Sequence, residues 1–169
     1  FGFELINTIS QKTHGGSMRY VVGRKGKFKT SINLKKILRK ERKNNVDSIK
    51  GCLKFKRGCE ISRKKLIKKL KDYKKRKLKI AGYAATSKST TILNYCKIGT
   101  NYIDYISDTT KEKIGKYSPG THIPIMSMEH FKENLPNRAF LFAWNHKNEI
   151  FKKEKQFNKK GKWFAHVNI

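Results

Sequence analysis

The fold class is decided by residues 78–96, which read LKIAGYAATSKSTTILNYC. Residues 78–83 form a short apolar run of the kind that makes a buried strand, and residues 87–96 place their apolar side chains at helical spacing. A turn-like segment, residues 84–86, separates the two. We therefore predict a strand that leads directly into a helix, which is the repeating unit of α/β folds.

Strand and helix signals continue to alternate in short units towards the C-terminal end of the chain. Residues 102–106, 138–144 and 163–167 each predict a further strand. Ser127 is predicted to cap a helix that Pro136 ends, because serine accepts from first-turn amides and proline cannot continue a helix. This alternation predicts a mainly parallel sheet covered by helices.

Glycines and one asparagine set the predicted ends of several helices. Gly99 is predicted to close the helix before it in the left-handed conformation. Asn145 is predicted to cap the helix that follows the 138–144 strand. Gly51 and Gly58 argue against an uninterrupted helix ahead of the clearly helical residues 61–75, because glycine weakens a helix interior.

The N-terminal residues predict a different unit. Residues 1–10 alternate apolar and polar side chains with a one-residue slip, a glycine-containing turn follows, and residues 18–22 resume the strand pattern. A pair of strands is not stable alone in water, so we expect it to join a larger sheet. Residues 29–60 are dominated by charge and predict a helical, Lys-rich connector.

The formal net charge is +29, with 41 Lys and Arg against 12 Asp and Glu. Such an excess attracts polyanions, and non-specific binding to nucleic acid at low salt is expected. The excess is mostly Lys, however, whereas Arg is the residue suited to bidentate recognition of phosphate and guanine. A stand-alone module that binds anions or nucleic acid without catalysis therefore stays open as an alternative function.

Three cysteines, Cys52, Cys59 and Cys96, form no CxxC pair. Neither a disulfide framework nor a zinc site is predicted, and a reducing cytoplasm fits best. No apolar run approaches the roughly 18 residues that span a bilayer, so no membrane partner is predicted. Because the chain starts at Phe1 and enters an apolar stretch at once, we expect it to be part of a longer protein.

Five segments of the sequence resemble one known family in their order and spacing. They are residues 13–19 (THGGSMR), 80–88 (IAGYAATSK), 93–96 (LNYC), 117–124 (YSPGTHIP) and 143–145 (AWN). The family they resemble is the sugar C-methyltransferases, which use S-adenosylmethionine to methylate a carbon of a nucleotide-linked keto-deoxysugar. The resemblance covers almost the whole chain.

The resemblance implies a parent enzyme of three parts: a small zinc-binding module, a methyl-transfer domain and a C-terminal Rossmann-like domain. The fold expected here is α/β, a Rossmann-like, mainly parallel sheet with flanking helices, preceded by a strand pair left from a class I methyltransferase domain. Residues 1–28 would be the terminal strands of that methyltransferase domain, residues 29–60 the connector, and residues 61–169 the Rossmann-like domain.

The resemblance also implies what this chain lacks. The family's cofactor-binding glycine motif and its catalytic glutamate–histidine pair lie upstream of the residues present here. No catalytic, cofactor-binding or metal-binding residue is therefore assigned. The chain alone is expected to be inactive and to bind S-adenosylmethionine poorly, and zinc is expected only in the N-terminal module.

Two candidate substrate-binding residues, His14 and Arg19, flank the turn at Gly15 and Gly16. The simpler interpretation is a tight turn between strands. The functional one places this turn beside the sugar site of an intact enzyme. There Arg19 would suit a phosphate, and His14 a sugar hydroxyl or a proton transfer.

Four further candidate substrate-binding residues follow predicted strands. Ser87 and Lys88 begin the helix after residues 78–83, where a phosphate or carboxylate can meet free backbone amides. Trp144 and Asn145 lie at the carboxyl end of a strand, where ligands gather in α/β sheets. The structural alternatives are an ordinary cap by Thr86 or Ser87, and a buried Trp before an Asn cap.

The leading hypothesis is a cytoplasmic transferase fragment that supplies structural support and part of the nucleotide-sugar cleft. Its partner would be a methyltransferase domain, provided in cis or as a separate chain. Besides the stand-alone anion-binding module, a weaker alternative is a non-catalytic assembly domain, which tight dimerisation without a ligand would support.

Overall fold

The computed structural model of the protein describes residues 1–168 and, at His14, the backbone alone. The chain forms two compact units, Phe1–Glu60 and the residues from Ile61 onward. The division falls within a long helix, and each unit is described by itself below.

The first unit is built on an antiparallel strand pair, as predicted. Strand β1 (Phe3–Gln11) pairs with β2 (Ser17–Arg24), and a 3-10 turn, Thr13–Gly15, joins them. The pairing register shifts between Leu5 and Asn7, where the sequence pattern slips by one residue. Helix α1 (Ile32–Lys43) follows and begins at Ser31, whose Oγ accepts a hydrogen bond from the amide of Leu34 at 3.1 Å.

Helix α2 (Ile49–Lys75) runs through both glycines without a break, so the predicted interruption is wrong. Gly58, in the helix interior, costs about 1 kcal/mol relative to alanine, which the burial of Leu66 and Leu70 outweighs. At Gly51 a side chain would collide with the backbone carbonyl of Asn45, whereas Gly58 has open space around it. Gly51 therefore packs against the Asn45 carbonyl at the start of the helix, where there is no room for a side chain.

The two glycines of α2 predict opposite effects of the same substitution. Gly58→Ala is expected to raise the free energy of unfolding by about 0.5–1 kcal/mol, because alanine loses less backbone entropy in a helix. Gly51→Ala is expected to lower it, because the new methyl group meets the Asn45 carbonyl. Urea unfolding followed by far-ultraviolet circular dichroism measures both. Equal stabilisation by the two substitutions would contradict this account of Gly51.

The second unit is a five-stranded parallel sheet flanked by helices, which confirms the predicted fold class. Its order is β5-β4-β3-β6-β7, and every neighbouring pair is parallel. The strands are β3 (Ile80–Tyr83), β4 (Tyr105–Ser107), β5 (Ile125–Met126), β6 (Arg138–Leu141) and β7 (Lys162–Phe164). The helices are α3 (Ser87–Cys96), α4 (Met128–Glu133), α5 (Lys147–Lys153) and α6 (Lys155–Lys160). Counted within the unit the order is 3-2-1-4-5, which is Rossmann-like.

The sheet buries apolar side chains on both faces, because successive residues of a strand point to opposite sides. Ile80 and Phe140 belong to one apolar cluster, together with Leu70 of α2. Ala81 and Leu141, their neighbours along the strands, belong to the other cluster. Helices α2 and α3 cover the first face, and α4, α5 and α6 cover the second.

Helix α3 ends at Cys96, as predicted, but its left-handed cap is Lys97 and not Gly99, which corrects the prediction. Lys97 takes the left-handed conformation with φ 55°, and the Ile98 amide donates to the Leu93 carbonyl at 2.9 Å. This is the hydrogen bond of a Schellman motif, and the side chains of Leu93 and Ile98 belong to the same buried apolar cluster. Ile98 is fully buried, so the chain turns one residue before it to return that side chain to the core.

Among the described helices, none combines the length and the apolar character that crossing a lipid bilayer requires.

Candidate functional site

The site lies outside the carboxyl ends of β3, β4 and β6. Strand order reverses between β3 and β6, and ligands of open α/β sheets bind in the crevice at such a reversal. Residues 84–86 leave β3 on one side of the crevice, and residues 142–145 leave β6 on the other.

Lys88 bridges the two sides of the crevice. Its Nζ donates to Asn145 Oδ1 at 2.7 Å and lies 5.1 Å from the centroid of the Trp144 ring. The structure thus brings together three of the residues predicted from sequence. A lysine ammonium has three donors, so the bond to Asn145 leaves donors for a ligand.

Asn145 does not cap a helix, contrary to the prediction. It lies in a 3-10 turn, Trp144–His146, and its side-chain oxygen accepts from Lys88 instead. The helix expected to run on from it is divided at Glu154 into α5 and α6. Glu154 is buried and accepts a hydrogen bond from the Tyr83 hydroxyl at 2.7 Å, which fixes the end of β3 against the helices.

The N-terminus of α3 faces the same region. Thr86 is the cap residue, because its hydroxyl accepts from the Ser89 amide at 3.2 Å. Ser87 is therefore the first helical residue, and its side chain is exposed. The amides of Ser87 and Lys88 have no acceptor in the part of the chain that the structure describes. Free first-turn amides and the helix dipole favour an anion here.

Sequence reasoning missed Asp108, which organises the loop after β3. Asp108 follows β4 directly, and its carboxylate accepts from the Ala85 amide at 2.7 Å and the Thr110 amide at 2.8 Å. Lys113 Nζ lies 3.5 Å from this carboxylate and donates to the Ala85 carbonyl at 2.9 Å. An acid at the carboxyl end of a strand was the available signal, but nothing in the sequence pairs it with Ala85.

The pKa of Asp108 reflects two opposed effects. Burial favours the neutral acid and raises the pKa, while hydrogen bonds from Thr110 and Ala85 and the charge of Lys113 lower it. The hydrogen bonds and the charge of Lys113 outweigh burial, so the pKa of Asp108 lies below its ordinary value. Asp108 is therefore an ionised, structural carboxylate at neutral pH.

The loop after β3 departs from the glycine-rich loop that binds a dinucleotide. The Ala85 amide is already bound to Asp108, and Ala84 holds the tight turn at φ 73° with its methyl group present, where a glycine would leave room for a pyrophosphate. Within residues 1–168 there is also no group of three acidic, histidine or cysteine side chains that could hold a metal ion.

A cleft of about 330 Å³ opens beside the N-terminus of α3. Thr86, Ser87 and Thr90 line one side, and Lys113 and Tyr117 line the other. It therefore joins the segment after β3 to the segment around residues 117–119, two of the five segments that carried the family resemblance. Its size suits part of a small ligand.

The remaining two candidates belong to the first unit. Arg19 lies on β2 opposite Ile9 of β1, and its side chain is exposed. The side chain of His14 lies outside the described residues. Their role as substrate-binding residues stays a prediction.

Comparison with known proteins identifies what this chain is similar to. Residues 12–167 match a family model described as the C-methyltransferase C-terminal domain. A curated relative, C-methyltransferase NovU of Streptomyces niveus, is 42% identical over 82 residues. That match covers 48% of this chain and 20% of the relative, so the matched part of the chain spans about a fifth of the length of that protein.

Proposed function

The chain belongs to the C-methyltransferase C-terminal domain family, and on that premise we propose a function for it. It forms the C-terminal part of an S-adenosylmethionine-dependent C-methyltransferase that acts on a nucleotide-linked keto-deoxysugar. Its contribution is structural support and part of the substrate cleft, and the chain alone is inactive. The observation that carries this proposal is the bridge from Lys88 to Asn145 and Trp144 at the reversal of strand order.

A diphosphate suits the chemistry of this crevice. The first-turn amides of α3 and the ammonium of Lys88 offer donors to anionic oxygens. Lys116 lines the adjacent cleft and adds positive charge. Because Lys113 is paired with Asp108, the buried carboxylate does not repel an anionic ligand strongly.

Aromatic and hydroxyl groups around the crevice suit the rest of a nucleotide sugar. The Trp144 ring carries Lys88 over one face and offers an apolar surface for a base or a sugar ring. The hydroxyls of Ser87 and Thr90 line the cleft and can hydrogen-bond to sugar hydroxyls.

The exposed apolar side chains of the first unit support the proposal that a partner domain binds to it. Phe3, Tyr20 and Val22 lie on the strand pair and are 61%, 64% and 56% exposed. Two strands alone make a marginal structure, and apolar side chains on an open strand pair mark an interaction surface. The partner proposed for this surface is the methyl-transfer domain, in cis or as a separate chain, with His14 and Arg19 beside its sugar site.

The proposal predicts that Lys88 contributes to nucleotide-sugar binding. Lys88→Gln is expected to weaken binding of a thymidine diphosphate sugar by about tenfold, because a charge-assisted hydrogen bond is lost. Isothermal titration calorimetry on the whole chain measures the affinity, and thermal shift confirms that both proteins are folded. Lys111→Gln removes an equal charge from an exposed position outside the cleft and is expected to leave the affinity unchanged.

Equal affinities for wild type and Lys88→Gln would contradict the proposed role of the bridge. Equal weakening by Lys88→Gln and Lys111→Gln would show that overall charge, and not the crevice, attracts the ligand. Micromolar binding of S-adenosylmethionine by this chain alone would contradict the proposal that the methyl-transfer domain, and not this chain, binds the cofactor.

One observation favours a second candidate, a stand-alone module that binds nucleic acid. From Lys64 to Lys75, helix α2 carries seven lysines against one acidic residue, Asp72. Binding that depended on these charges would fall steeply with salt. Stabilisation by a DNA oligomer at low salt, with none by the nucleotide sugar, would favour this candidate over the transferase fragment.

A further inference from the structure

A second cleft, apart from the crevice, lies between α2 and the segment that follows β7. Its volume is about 500 Å³, larger than the cleft beside α3. Ser62, Lys65 and Lys69 line it from the helix, and residues 163–168 line it from the other side. All of these residues belong to the second unit.

The lining of this cleft is positive. Lys65 and Lys69 lie one helical turn apart on the same face of α2, and the cleft contains no acidic side chain. Neither lysine takes part in an ion pair within residues 1–168. The ammonium of Lys69 lies 5.9 Å from the centroid of the Phe164 ring, which places it over the cleft wall.

His166 supplies a neutral donor in the same cleft. The side chain is half-buried against Phe140, with ring centroids 6.5 Å apart, and its backbone carbonyl lies 3.5 Å from the Ser62 hydroxyl. Its Nδ1 is buried without a hydrogen-bond partner in the described structure. Burial, and then the positive charge of Lys88, lower the pKa of His166 below its ordinary value. The imidazole is thus neutral at pH 7 and carries one N–H donor.

We propose that this cleft binds a phosphate group, held by Lys65, Lys69 and His166 with the Ser62 hydroxyl beside them. Two ammonium groups without carboxylate partners match the charge of a phosphate dianion. The imidazole adds a directional hydrogen bond that selects a compact oxyanion over diffuse counterions, and Ser62, whose hydroxyl donates to the His166 carbonyl at 3.5 Å, links this residue to α2. The phosphate belongs to a free phosphate monoester or to the diphosphate of a nucleotide, and the two sources are separated by experiment.

Inorganic phosphate is the probe for the test. The whole chain, labelled with 15N-histidine, is titrated with phosphate against chloride at constant ionic strength, and the imidazole signals are followed by NMR. His166 signals are expected to move, and the pKa of His166 to rise, because a bound anion favours the imidazolium. Lys65→Gln and Lys69→Gln are each expected to weaken phosphate binding by about tenfold, as expected for a lost charge-assisted hydrogen bond.

The matched control is Lys71→Gln, which removes a charge from an exposed position of the same helix outside the cleft. It is expected to leave the phosphate affinity unchanged. Unmoved His166 signals at saturating phosphate would overturn the proposal, and so would equal weakening by Lys71→Gln. Circular dichroism of each variant shows that the fold is retained.

Thymidine diphosphate and a simple phosphate monoester, titrated in parallel, distinguish the two sources of the phosphate. Tighter binding of the monoester assigns the cleft to a small phosphorylated ligand, and tighter binding of the diphosphate assigns it to a nucleotide. The His166 signal is read on chains that keep Lys88, because the charge of Lys88 acts on the pKa of His166. The proposed function is tested separately, by calorimetry on Lys88→Gln, so failure here and failure of the proposed function are distinct outcomes.

Discussion

Replacing Phe140 with Ala is expected to lower the free energy of unfolding of the second unit by about 3–5 kcal/mol. Phe140 is fully buried in the central part of the sheet, and its ring lies 4.3 Å from Phe142 and 4.8 Å from Phe164, centroid to centroid. Truncation removes the ring and leaves a cavity that rigid strands cannot close. Guanidinium unfolding followed by tryptophan fluorescence measures the effect, because both tryptophans, Trp144 and Trp163, lie in this unit.

The control for Phe140 is an aromatic residue of the same unit that is not buried. Tyr117 is 63% exposed, and Tyr117→Ala is expected to change the free energy of unfolding by no more than about 0.5 kcal/mol. A Phe140→Ala loss as small as that of Tyr117→Ala would mean that the sheet does not carry the core described here.

Asp108→Ala is expected to lower the free energy of unfolding by about 2–4 kcal/mol, because two backbone amides lose a charged acceptor. The Ala85 and Thr110 amides both donate to this carboxylate, whose side chain is only 7% exposed. Asp108→Asn keeps one acceptor and is expected to cost about half as much. The same fluorescence-detected unfolding measures both variants.

The pH dependence gives a separate check on Asp108. Its pKa is lowered on folding, so the ionised carboxylate stabilises the protein above its ordinary pKa of 3.8. This stabilisation is lost as the pH falls through the lower, folded pKa. The difference in stability between wild type and Asp108→Asn is therefore expected to be constant near neutral pH and to shrink in acid. A difference that grew as the pH fell below 4 would contradict the assigned direction.

The fold was largely predictable because its signals are local. The apolar run before Tyr83 and the helical spacing after Thr86 gave β3 and α3, and the slip near Leu5 gave the register shift of β1. The family resemblance, which rests on short segments spread along the chain, is confirmed by the match over residues 12–167. Cytoplasmic localisation and the sugar substrate stay predictions.

The failures have physical causes that a local pattern does not contain. Strand β5 has two residues, too few for a period of two to show. The Gly51 contact depends on Asn45, and the ending of α3 depends on the burial of Ile98. In each case tertiary packing outweighed the propensity of a single residue.

The candidate site was predicted only in part for the same reason. Lys88, Trp144 and Asn145 follow strands, and topology brings the ends of parallel strands together, so these three could be found. The carboxylate of Asp108 and the imidazole of His166 contact residues distant in sequence, Ala85 and Phe140, which a local pattern does not reveal.

The hydrogen bonds of Asp108 affect how the crevice would bind a ligand. An internal anion already holds the loop after β3 in one conformation, so the loop does not need a ligand to order it. Binding to a preorganised loop loses little conformational entropy, and it proceeds without a slow rearrangement step. We therefore expect recognition at this crevice to be close to lock-and-key, with backbone positions that differ little between the free and the occupied protein.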